Sequence, residues 1–228
     1  MITGALIASE FISVGLALVL VYLFFKAYRF TRSIYVLGLL VGFSLLASSY
    51  IFLGLVLFYE NNVTISELFL WLRLIAQGYG YGFIAFAYYF SGKSAKTGRY
   101  FLGLISLFSA ISVILFFGAL IAAPPFLELP SIGVADECLR VANLIFLGYI
   151  ICDLVKHFES SRKAISGLIW TPLAFSLLWL VQYSLLIWGI DGSQTAFIFA
   201  HIARLASLTL FIYIYHSSGG VDSESRKA

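Results

Sequence analysis

GALIASEFISVGLALVLVYLFF, residues 4–25, followed by KAYRFTR, residues 26–32, decides how the rest of the chain is read. The first stretch carries a single charged side chain, Glu10, and the second brings Lys26, Arg29 and Arg32. A helix needs about 20 apolar residues to cross about 30 Å of hydrocarbon. This run supplies them and then meets a basic boundary. It is too long, and too bare of positive charge before it, for a cleaved signal peptide, so it is expected to stay as the first span.

Six similar runs follow, at residues 34–59, 68–90, 100–123, 132–154, 167–190 and 195–215. They account for a composition that is 61% hydrophobic and 11% charged over 228 residues, where a soluble domain carries roughly twice that charge. Open strands would leave backbone groups unpaired in lipid. A transmembrane barrel would need alternating segments of about ten residues, and the runs do not alternate. The expected fold class is all-α, an integral membrane bundle of seven transmembrane helices. Residues 1–216 form the bundle and residues 217–228 a short disordered tail. Pro124, Pro125 and Pro130 separate the fourth run from the fifth, as proline does at a helix end.

Charge placement predicts the orientation. Lys26, Arg29 and Arg32 follow the first span, Lys93, Lys96 and Arg99 the third, and Lys156, Arg162 and Lys163 the fifth, with Arg226 and Lys227 in the tail. The loops at 60–67, 124–131 and 191–194 contain no lysine or arginine. Basic loops stay in the cytoplasm, so the N-terminus is expected outside and the C-terminus in the cytoplasm of a multi-pass cell-membrane protein. The net charge of +3 is then a product of topology, and no nucleic-acid partner is expected. Asn62-Val63-Thr64 matches a glycosylation acceptor in an outer loop, a tripeptide that chance also produces. Cys138 and Cys152 share one helix about 21 Å apart and cannot pair with each other.

Polar side chains inside the spans are costly, about 2.5 to 3.5 kcal/mol for an arginine at a helix centre, and each is a functional candidate. They are Glu10 in the first span, Arg73 and Gln77 in the third, Glu137, Arg140 and Asn143 in the fifth, Gln182 in the sixth, and His201 and Arg204 in the seventh. Counted from the outer ends, Glu10, Arg73, Glu137, Arg140, Gln182, His201 and Arg204 lie in the outer half of the membrane, and the inner half is nearly bare apart from Asp153 close to the cytoplasmic end. Arg73 and Gln77 are four apart, while Glu137 and Arg140, and His201 and Arg204, are three apart, so each set shares a helix face. Five helices therefore aim polar stripes at one level, with Tyr79, Tyr81, Trp179, Tyr183 and Trp188 available as aromatic walls.

Two readings of this layer stand side by side. In one it is a structural network, with Glu137 paired to Arg140 and Glu10 to Arg204 or Arg73. In the other it is a ligand site. Three arginines then face two glutamates, and the surplus cation favours a small anionic or hydrogen-accepting ligand from the outer side.

Other signals carry less. Gly78-Tyr79-Gly80-Tyr81-Gly82 looks like a potassium filter, but a filter needs a re-entrant loop and this stretch lies inside a full span, where Gly78 and Gly82 suit close helix packing. No lysine lies in the seventh span to hold retinal. His157, His201 and His216 offer no two axial haem ligands at one level. No His, Cys and carboxylate set has metal-ligand spacing, so no cofactor is expected. Acid–base chemistry by Glu137 with His201 is the sole enzyme reading, and it ranks last.

Leu70-Trp71-Leu72-Arg73 through Phe86-Ala87-Tyr88-Tyr89-Phe90-Ser91-Gly92-Lys93 resembles the third span of the seven-helix sensor domains that precede many prokaryotic histidine kinases. The number of spans and the outside N-terminus agree with that family. The resemblance implies a receptor or sensor module in signal transduction. With about a dozen residues after Tyr215, a separate cytoplasmic or membrane partner is expected to carry the signal. The ligand site would comprise Glu10, Arg73, Gln77, Tyr81, Glu137, Arg140, Asn143, Gln182, His201 and Arg204. A small-solute transporter or channel is the alternative, and it predicts polar groups continuing to the inner side.

Overall fold

A backbone surrounded by hydrocarbon must satisfy its own N–H and C=O groups, and a helix does so within one segment. The computed structural model describes residues 2–59, 63–91, 132–160 and 166–224, and they form six helices. These are α1 (Ile2–Thr31), α2 (Ile34–Phe58), α3 (Val63–Ser91), α4 (Ile132–Ser160), α5 (Ser166–Asp191) and α6 (Gln194–Glu224).

The helices close a ring in chain order, each packing on the next and α6 returning to α1. Two of the turns are only two residues long. Arg32 (φ 48°) and Ser33 join α1 to α2, and Gly192 (φ 67°) and Ser193 join α5 to α6. The Gly192 amide caps the Trp188 carbonyl at 2.9 Å, an end that favours glycine because no Cβ crowds the left-handed backbone.

Neighbours around the ring are antiparallel except α3 and α4. Early residues of α1, α3, α4 and α6 meet late residues of α2 and α5 around one cavity. Ser91 and Ile132 therefore stand at opposite ends of the ring.

Small residues set the tightest seam. A Cβ added at Gly42 of α2 would stand 2.9 Å from the Gly80 carbonyl oxygen of α3, and one at Gly38 would stand 2.7 Å from the Ala87 Cβ. Lipid gives helices little hydrophobic reason to associate, so close backbone approach supplies the packing. Gly78 faces the other way, against Leu139 of α4. The Gly-Tyr repeat is therefore packed inside α3.

The end opposite the cavity is filled with rings. Phe24 stacks on Phe43 (5.2 Å), which meets Phe211 (5.2 Å). Phe211 meets Phe175 (4.9 Å), Phe175 meets Tyr88 (5.3 Å), and Tyr88 meets Tyr35 (5.3 Å). Leu20, Leu147, Ile150 and Leu208 complete this core and are fully buried. The outward faces are also apolar: Ile12, Tyr22, Phe58, Ile145, Ile190 and Ile202 are all more than half exposed. That much apolar surface is unfavourable in water and suits lipid.

Five of the six helices are long and apolar enough to cross a membrane, which marks a multi-pass membrane protein. The exception is α3, diluted by Glu67, Arg73, Gln77 and its glycine and tyrosine repeat, although it packs between α2 and α4 in the same ring.

Six of the seven expected spans correspond to described helices. The run at 100–123 lies outside the described residues, as do Asn62, Lys93, Lys96, Arg99, Pro124, Pro125, Pro130, Arg162, Lys163, Arg226 and Lys227. Helix α6 runs on to Glu224, past the point where the sequence predicts the tail to begin. Once formed, a helix gains one hydrogen bond for each further residue.

Candidate functional site

The early turns of α1 and α6 bring Glu10 against Arg204. Both are buried, and the arginine Nη2 donates to the Glu10 Oε1 at 2.5 Å. The same Nη2 lies 2.8 Å from His201 Nδ1, and Ser9 Oγ lies 3.2 Å from that nitrogen. Arginine can only donate, so His201 accepts at Nδ1 and carries its proton on Nε2. The 3.4 Å separation of Nδ1 from the Glu10 Oε1 is then the approach of two acceptors sharing one donor. Tyr50 of α2 lies beneath, its ring centroid 4.9 Å from the Arg204 guanidinium carbon, within range of a cation–π contact.

On α4, Arg140 pairs with Asp136 one turn earlier. Its Nε donates to Oδ2 at 2.9 Å, and its Nη2 reaches the same oxygen. Arg73 of α3 brings a third guanidinium into the field of Asp136, Arg140, Glu10 and Arg204. Glu10, Arg73, Arg140, His201 and Arg204 line one cavity of ≈ 170 Å³, walled by Leu53, Val181, Leu185, Trp188, Phe197 and Ala200. At about 30 Å³ per water, that is room for a few waters or one small oxyanion.

A second tier lies beneath the cavity. Asn143 Nδ2 donates to the Gln182 Oε1 (3.5 Å), and Gln182 Nε2 donates to the Tyr81 hydroxyl (3.2 Å), linking α4, α5 and α3. Gln77, one turn from Arg73 on α3, is buried as well.

The buried side-chain atoms without a partner mark the site. Among the described residues they are Glu10 Oε2, Asp136 Oδ1, Arg140 Nη1, Asn143 Oδ1, His201 Nε2 and Arg204 Nε. All six belong to this layer. Buried polar groups are almost always satisfied, so such a concentration singles the cavity out.

Five of the ten expected site residues line the cavity, and Gln77, Tyr81, Asn143 and Gln182 lie in or beside the tier under it. Glu137 departs. It lies against Gly189 of α5, where an added Cβ would stand 3.8 Å from its Oε1, and it does not line the cavity. Asp136 takes the Arg140 pairing expected of Glu137. The i, i+4 spacing lets the carboxylate meet both Nε and Nη2, while Glu137 is turned toward the α4–α5 seam.

The aromatic wall is also narrower than expected. Trp188 lines the cavity, but Tyr183 is exposed and stacks on Trp179 at 5.5 Å. Ser9, Tyr50 and Asp136 are site residues that the sequence does not single out. Only Asp136 carried a signal, its place one turn before Arg140. Among the described residues three guanidinium groups thus face two carboxylates, Glu10 and Asp136, which keeps the surplus of one positive charge. Among the described residues, no three His, Cys, Asp or Glu side chains gather as metal ligands would.

No family model, curated protein or solved structure matches the chain.

Proposed function

We propose that the chain is a seven-helix receptor or sensor of the cell membrane that binds a small anionic ligand in the polar cavity and passes the signal to a separate partner. The observation that carries this reading is the cavity itself: three arginines from α3, α4 and α6 converge with too few carboxylates to neutralise them. Preorganised guanidinium groups are the usual means of holding a carboxylate or phosphate.

Orientation follows from charge. Lys26, Arg29 and Arg32 gather at the end of α1 away from the cavity, so under the positive-inside rule the cavity would lie in the outer half. A seventh span at 100–123 would carry the chain back from Ser91 to Ile132. The likeness of residues 70–93 to the sensor domains of histidine kinases belongs to the same proposal. The ring of phenylalanines below the cavity weighs against a continuous transport path.

Ligand binding would compete for Arg204 and loosen its hold on Glu10, shifting α1 against α6. A thermal-shift screen of small anions tests the reading on the purified wild type and on Arg73→Gln, which disturbs neither ion pair. Anions should raise the melting temperature of the wild type by several degrees and that of the variant by less than half as much. Equal responses from both proteins across every hit would sink the site.

A further inference from the structure

A second space adjoins the cavity, and its chemistry differs. It is a crevice of ≈ 190 Å³ between α1 and α2, lined by Phe11, Ile51, Gly54 and Phe58 among other apolar groups. Glu10 lines both spaces. Tyr50, which lines the crevice, also lies under Arg204. The two spaces therefore share a wall, charged on one side and apolar on the other. Farther along the same helices a second groove passes between Leu18 and Leu45. From Phe11 to Phe25 the seam extends about 21 Å at 1.5 Å per residue, more than half of a hydrocarbon core of about 30 Å.

Building on the anion-receptor reading, we infer that the ligand is a single-chain carboxylate dissolved in the bilayer, with its head among the arginines and its acyl chain along the α1–α2 seam. Separate features point to each end. At the head, Arg140 is 2% exposed and Arg204 5% exposed, and the Arg140 Nη1 and Arg204 Nε atoms have no partner. The surplus of one positive charge matches a monoanion, and a planar carboxylate fits a guanidinium fork. At the tail, the crevice meets the cavity at Glu10 and offers apolar walls to a chain. The head would lie among Arg73, Arg140 and Arg204, on the side of Arg204 away from the Glu10 carboxylate.

Gly54 makes the tail testable, because a Cβ added there meets nothing within 4 Å. A side chain can therefore start at this position without a clash at Cβ, and leucine there would extend into the crevice. The protein is studied as the full chain in phosphatidylcholine nanodiscs, with dodecanoate, dodecanol and acetate as probes read by thermal shift. A diazirine-bearing dodecanoate maps the contacts.

Dodecanoate should bind at least tenfold more tightly than acetate or dodecanol, and its crosslinks should fall within residues 7–14 and 50–58. Gly54→Leu should weaken dodecanoate tenfold or more and leave acetate unchanged. Arg73→Gln should weaken both acids and bring dodecanoate within about twofold of dodecanol.

Acetate binding as tightly as dodecanoate, with Gly54→Leu silent, would overturn the acyl-chain assignment and leave the anion receptor standing. Equal binding of dodecanoate and dodecanol, or no binding of dodecanoate, would overturn the acyl-carboxylate assignment, whereas the anion-receptor reading falls only if no anion distinguishes the wild type from Arg73→Gln. If Gly54→Leu fails to fold, the wild-type crosslink map decides alone: crosslinks outside the α1–α2 seam overturn the assignment.

Discussion

The same six helices build two unlike ends. At one, Phe24, Phe43, Tyr88, Phe175 and Phe211 fill the centre ring against ring. At the other, five ionisable side chains surround a cavity, and buried polar atoms go without partners. None of those unpartnered atoms falls in the aromatic end among the described residues. The contrast separates two uses of a membrane interior. One end supplies packing, and the other holds charged groups whose interactions are incomplete without something else bound.

The largest test of this contrast is Glu10→Leu. It leaves the buried Arg204 without its carboxylate, and breaking a buried pair costs about 3–5 kcal/mol. Reversible unfolding in mixed micelles should show that loss, and Glu10→Leu with Arg204→Leu should recover most of it. A double variant as unstable as the single one would mean the pair is not what joins α1 to α6.

Gly42→Val probes packing away from the cavity. Its side chain collides with the Gly80 carbonyl, and overpacking of this kind costs about 1–3 kcal/mol. Anion-induced thermal shifts should stay at the wild-type size, because the cavity is untouched. The smallest effect belongs to Glu137→Gln, expected within about 0.5 kcal/mol of the wild type and with unchanged ligand response. A loss of anion response there would return Glu137 to the site.

Long apolar runs in the sequence marked five helices that are apolar enough to cross a membrane, because such runs leave few alternatives for a backbone in lipid. The sequence also put the polar residues at one height, since helical rise converts residue number into depth. What it did not settle was rotation. A helix with lipid on one side and an apolar core on the other is apolar all round, so only its few polar residues mark the inner face. Where two such residues are adjacent, as Asp136 and Glu137 are, the sequence offers two rotations about 100° apart, and the packing of α4 on α5 chooses between them. Tyr183 fell outside for the same reason. Tyr50 was hidden among 14 tyrosines, and its role depends on Arg204 arriving from a helix 154 positions away in the chain (204 minus 50).

The glycine contact between α2 and α3 has a mechanical consequence. Two helices that touch backbone to backbone have little room to slide, so they act as one plank. The Glu10–Arg204 clasp lies beside that plank, joining α6 to α1 where α1 packs on α2. Whatever rearranges at the clasp is therefore displaced relative to α2 and α3, which makes that pair the natural frame of reference for measuring any motion in this protein.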